Sequence, residues 1–127
     1  MTDLSSDSHL WWRQRRKPYN IGLIVAGILA FLCYAAVLSI FHRDDRLLDI
    51  EITVFTILFQ GVGYLIMMLI ANLFYNLGPL TESFCNPRHP ELFRRIIFSC
   101  GFWFSIALPF VVPGFLLFIL LTVPVID

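Results

Sequence analysis

Residues 52–81 read ITVFTILFQGVGYLIMMLIANLFYNLGPLT, without a single Asp, Glu, Lys or Arg. A helix needs about 20 mostly apolar residues to cross a hydrocarbon core of about 30 Å, and this stretch exceeds that requirement. A core helix of such length in a water-soluble domain would show a continuous charged face. Two more stretches share the property, residues 18–41 and residues 96–126. The chain as a whole is 58% hydrophobic and 14% charged, whereas soluble domains carry about 25% charged residues. The few charges therefore sit between and before the apolar stretches, as in a chain that crosses a membrane several times.

These features predict an all-α integral membrane helical bundle with spans at about 19–41, 50–76 and 94–126. Residues 1–18 form a polar and basic juxtamembrane arm, and residues 19–127 the transmembrane domain. Within the arm, residues 1–9 are expected to be loosely ordered in water. Pro18 is read as the start of the first helix, where its missing N–H is tolerated. Gly78 and Pro79 close the second helix. The third stretch would measure about 46 Å as one straight helix, longer than a single crossing, yet two full crossings would be short. Pro109, Pro113, Gly114 and Pro124 interrupt it, so the expected form is one long crossing kinked near Pro109–Gly114. A four-span hairpin is the alternative. The first stretch is too long for a signal-peptide core and lacks a small-x-small cleavage pattern, so it reads as a retained span.

The net charge is +0, which points to neither nucleic acid nor an acidic substrate. The basic residues Arg13, Arg15, Arg16 and Lys17 stand directly before the first span, and Arg94 and Arg95 before the third. Lys and Arg beside a span stay on the cytoplasmic side and are drawn to anionic headgroups. Both clusters thus act as membrane-orienting flanks. They imply a multi-pass protein of a cytoplasmic or inner membrane with a cytoplasmic N-terminus. Trp11 and Trp12 fit the headgroup level.

Two helical faces carry more information than hydropathy. Gly22, Ala26 and Ala30 recur every four residues, a stripe along which another helix can approach closely. In the second span Thr53, Thr56, Gln60, Tyr64, Met68, Asn72 and Tyr75 fall at steps of three or four. Unpaired polar groups are costly in hydrocarbon, so this face should point into protein. It packs helices together or, in an oligomer, lines a pore. Routine interhelical hydrogen bonding favours the packing role, and no ionised group at mid-depth marks an ion path.

Chemistry-bearing clusters are sparse. Asp44, Asp45, Asp49 and Glu51 could attract a hard cation, but Arg43 and Arg46 are interleaved with them and favour local salt bridges. Cys85 and His89 make half of a zinc site with no second half. Three cysteines, Cys33, Cys85 and Cys100, are an odd and scattered set, unlike a disulfide framework. No Gly-x-Ser-x-Gly, His-Glu-x-x-His or phosphate-binding glycine loop occurs. Ser99 and Ser105 have no histidine or lysine at comparable depth to activate them. No catalytic residue, cofactor or metal ligand is therefore assigned. The expected role is assembly in the lipid bilayer, with copies of itself or as a non-catalytic subunit of a larger membrane complex. A small oligomeric channel is the rival; a membrane enzyme or metal-handling protein is the third.

Overall fold

The computed structural model describes residues 2–41 and 53–123, with side chains from Ser6 onward in the first helix. The chain forms α1 (Thr2–Ile40), α2 (Val54–Tyr75), α3 (Leu77–Cys85), α4 (Pro90–Ala107) and α5 (Val111–Thr122), with a 3₁₀ turn at Leu108–Phe110 between the last two. Three helical rods, Ser6–Ile40, Val54–Cys85 and Pro90–Thr122, are long and apolar enough to cross a membrane. Among the described residues this is an all-α helical bundle with three helices of membrane-spanning length.

Helix α1 lies at the centre. Helix α2 runs antiparallel to it, pairing Tyr64 with Leu23, Ala71 with Tyr19, and Tyr75 with Trp12. The α4–α5 rod runs parallel to α1, pairing Asp7 with Arg94, Tyr19 with Ser105, and Val37 and Leu38 with Leu120. The main core gathers Tyr19, the fully buried Leu23 and Ala71, with Met67, Met68, Tyr75, Phe98 and Phe102 packed around them. A smaller core at the far end joins Val37, Leu38 and Leu120.

The third crossing bends where the prolines require it. Pro109 has no N–H to offer the carbonyl four residues back, and the chain tightens into the 3₁₀ turn before α5 resumes. Two other boundaries differ from the sequence expectation. Helix α1 does not begin at Pro18 but continues through it from Thr2, so residues 2–9 are helical rather than loosely ordered. The arm gains this order from tertiary contacts, since Ser8 and Trp12 are held by α3. The proline's lost hydrogen bond is thereby offset. The second helix breaks at Asn76, ahead of Gly78 and Pro79, and those two residues fall in the first turn of α3. There backbone N–H groups have no intrahelical partner in any case, so proline costs little. Helix α3 ends on Asn86, in the left-handed region at φ 40°, a conformation asparagine tolerates better than most residues. Helix α4 starts with Pro90 and Glu91, a favourable pairing of fixed φ with a carboxylate at the positive end of the helix.

The acidic group Asp44, Asp45, Asp49 and Glu51, the residues Arg43 and Arg46, and the end of the chain beyond Val123 lie outside the described residues.

Candidate functional site

Beyond the charge-free stretches, the beginning of α1, all of α3 and the first turns of α4 form a small three-helix head. At its centre is a buried carboxylate. Glu82 Oε2 accepts hydrogen bonds from Ser8 Oγ and Trp12 Nε1, both at 2.9 Å. Its Oε1 accepts from Arg94 Nε at 2.7 Å. Arg94, only 2% exposed, also reaches Asp7 Oδ2 at 3.3 Å. The hydrogen bonds from Trp12, Ser8 and Arg94, together with the guanidinium charge, offset the cost of burying this carboxylate.

Trp12 links the ion pair to the helices. Its indole packs against Gly78, where a Cβ would come 2.5 Å from the ring. Its backbone carbonyl accepts from Tyr75 Oη at 2.7 Å. The Trp12 and Tyr75 rings meet edge to face with centroids 5.7 Å apart, a favoured aromatic geometry. Arg15 sits over the Trp11 ring at 3.8 Å, and Arg16 donates to Asn76 Oδ1 at 3.2 Å. Arg13, Lys17 and Arg95 are exposed. Arg94, grouped with Arg95 by sequence, is thus an internal cation of the head, not a surface one.

One layer further in, Tyr19 Oη lies 2.8 Å from Ser105 Oγ and donates to the Ala71 carbonyl at 3.3 Å. The three crossings are joined here by one phenol. Ser105, set aside from sequence as a nucleophile for want of an activating base, is the hydroxyl that ties α4 into this layer. Interhelical hydrogen bonds in membranes average about 0.6 kcal/mol and reach about 1.7 kcal/mol. Tyr19→Phe should therefore cost about 1 kcal/mol, measured by denaturation in mixed micelles. Combined with Ser105→Ala it should cost less than the sum of the two single changes.

The polar face of α2 divides along its length. Asn72 Nδ2 donates to Asn20 Oδ1 at 2.7 Å, and Tyr64 Oη donates to the Leu23 carbonyl. The Tyr64 ring occupies the space a Cβ on Gly27 would need. Thr53 caps α2 and bonds Thr56 at 2.9 Å. Gln60 is half-buried, and its carboxamide makes no hydrogen bond to the described residues. In the small-residue stripe, Gly22 faces the Phe102 ring, while Ala26 and Ala30 are buried.

Gln60 borders a groove. Helix α2 and the α4–α5 rod both lean on α1 and leave a channel between themselves, floored by α1. Toward the far end it opens into a cavity of about 650 Å³ bounded by Gly27, Ala30, Gln60, Gly61, Gly63 and Pro113, among others. A second cavity of about 330 Å³ continues it toward the head between α2 and α4. Met67 and Leu108 border both.

Comparisons of the chain with protein-family models, curated proteins and solved structures find no match. The chemistry must be read from the chain itself. Cys85 and His89 are exposed at the α3–α4 connection, and among the described residues no three His, Cys, Asp or Glu converge on a metal-sized site. Serine, tyrosine and glutamate side chains are brought together, but each is engaged in joining helices. Glu82, Asp7 and Ser8, which the sequence did not single out, form the most connected polar cluster with Arg94 and Trp12; Trp12, read from sequence as a headgroup-level ring, is buried against α3 instead. The available signal was the lone acid Glu82 on an otherwise uncharged helix, four residues after Gly78.

Proposed function

We propose that this protein is a non-enzymatic membrane component that works by assembly, as a homo-oligomer or as a subunit of a larger membrane complex. The observation that carries the reading is the open groove with the unpaired Gln60 carboxamide on its wall. A polar group without a partner in hydrocarbon costs several kcal/mol. Lipid chains cannot supply the missing hydrogen bonds, whereas a protein neighbour can. Among the described residues no fully buried side-chain nitrogen or oxygen lacks a partner. At the groove both the Gln60 carboxamide and the Tyr34 phenol are left without one, which supports a docking role there.

The basic excess of the head supports a cytoplasmic location for it. Residues 6–17 and 76–95 hold seven Lys and Arg against three Asp and Glu, and such a bias favours retention on the cytoplasmic side. A protease-sensitive tag on the N-terminus should then be protected in intact cells and cleaved after permeabilisation.

The channel reading draws on the same residue, since several copies could bring Gln60 around water. Apart from the Tyr34 phenol, the remaining walls of the groove are aliphatic residues, Phe31, Gly and Pro, and Tyr64 and Asn72 are already bonded to α1, which favours packing over conduction. Purification in nanodiscs through an N-terminal tag, followed by mass measurement, tests the main reading. A defined complex, of several copies or with foreign subunits, supports it; a lone chain overturns it. Gln60→Leu separates the two readings. Loss of the complex with no conductance in either form supports assembly, while an intact complex that loses conductance supports the pore.

A further inference from the structure

We propose that the occupant of the groove is α2 of a second copy of this chain. The two copies are related by a two-fold axis along the bilayer normal, and each Gln60 carboxamide is hydrogen-bonded to the other. The inference rests on the assembly reading and names its partner. Copies inserted in the same orientation place equivalent residues at the same depth, so a two-fold axis brings Gln60 opposite Gln60. A carboxamide carries both a donor and an acceptor, and two of them satisfy each other reciprocally. That self-complementarity is what an isologous interface demands.

The local shape fits a helix rather than a large side chain. Gly61 and Gly63 flank Gln60, and a Cβ on either would meet nothing within 4 Å. The floor opposite combines Ala30, and Gly27 beneath the Tyr64 ring, with the larger Ile24, Ile28, Phe31 and Tyr34, so the open small residues are Gly61 and Gly63 on α2 itself. Small residues at such a place let two backbones approach closely. Helix α2 is also the least covered of the crossings. None of the residues in the most apolar window of its rod is buried, against 28% of those in the window of α1 and 17% in that of α4–α5. In the paired arrangement each α2 enters the groove of the other copy. The order across the interface becomes α1, the second copy's α2, α2, and the second copy's α1. One symmetric contact thus fills both grooves and buries both free carboxamides.

Cysteine cross-linking in native membranes tests this. Cys33, Cys85 and Cys100 are first replaced by alanine, and single cysteines are placed by Gln60→Cys or Ile57→Cys on the groove side. Phe59→Cys and Ile66→Cys, which do not border the groove, serve as controls. Mild oxidation should give a disulfide-linked dimer from Gln60→Cys or Ile57→Cys, at least several-fold more than from either control. On the native chain, Gln60→Leu should weaken the dimer in nanodiscs about tenfold, as expected for losing an interhelical hydrogen-bonded pair. Equal cross-linking from both faces, or none from the groove side, would overturn the proposal. If the groove-side cysteines stay unlinked while a foreign subunit co-purifies, the second copy is wrong but the assembly reading stands. If they stay unlinked and the chain is a lone monomer, both fall.

Discussion

Replacing Arg94 by alanine should destabilise the folded chain by about 3–5 kcal/mol, the cost of breaking a buried ion pair by removing one partner. Glu82 would keep the hydrogen bonds from Ser8 and Trp12 but lose the guanidinium it is paired with. Asp7 would lose its link to the interior at the same time. The measurement is an SDS titration in mixed micelles, followed by tryptophan fluorescence, beside limited proteolysis of residues 2–17. The arm should become cleavable before the crossings separate, because Tyr19, Leu23 and Ala71 hold those through a different layer. A double change, Glu82→Leu with Arg94→Leu, removes both charges and should recover part of the loss, since a buried pair can be replaced by apolar groups at little cost while the Trp12 and Ser8 donors lose their acceptor. A loss below about 1 kcal/mol for Arg94→Ala would mean that the pair behaves like a surface salt bridge, and that the head is held by Trp12 alone.

The crossings were legible because the bilayer imposes a coarse requirement on sequence. Length without charge locates a span whatever its packing, and Pro109 announces its bend through the hydrogen bond it cannot make. The head was less legible because its order comes from contacts distant in sequence. Ser8 and Glu82 are 74 residues apart, and Asp7 and Arg94 are 87 apart. Nothing local in SSDSHL marks a helix that runs through a proline. The same distance hid the role of Arg94, since a charge beside an apolar stretch looks like a flank until its partner is seen.

The polar face of α2 shows the limit from the other side. Its periodicity gathers Gln60, Tyr64 and Asn72 on one side, and the structure places Tyr64 and Asn72 against α1 while leaving Gln60 at the groove. Periodicity reports a shared face. It does not report where along that face two helices part. That depends on Pro109 and the 3₁₀ turn, which border the groove from the opposite wall.

Trp12→Ala should have an effect comparable to the loss of Arg94, about 3–5 kcal/mol, because truncating a buried tryptophan leaves a cavity as well as lost burial. The ring is 4% exposed, lies on Gly78, faces Tyr75 and donates to Glu82. Its removal therefore strips one of the donors that hold the carboxylate and empties the space between α1 and α3. Trp12→Phe separates the two losses. It keeps most of the packing and deletes the indole N–H, so it should cost about 1–3 kcal/mol, the penalty of an unmet buried hydrogen bond. Gly78→Val attacks the same contact from the opposite side, since its Cβ would meet the indole at 2.5 Å, and it should cost about 1–3 kcal/mol through overpacking. Trp12→Ala and Gly78→Val together should fall short of additive, because the space left by the ring accommodates the new side chain. Strict additivity in the same micelle titration would show that the two residues do not share a contact, and that α3 docks on α1 by another route.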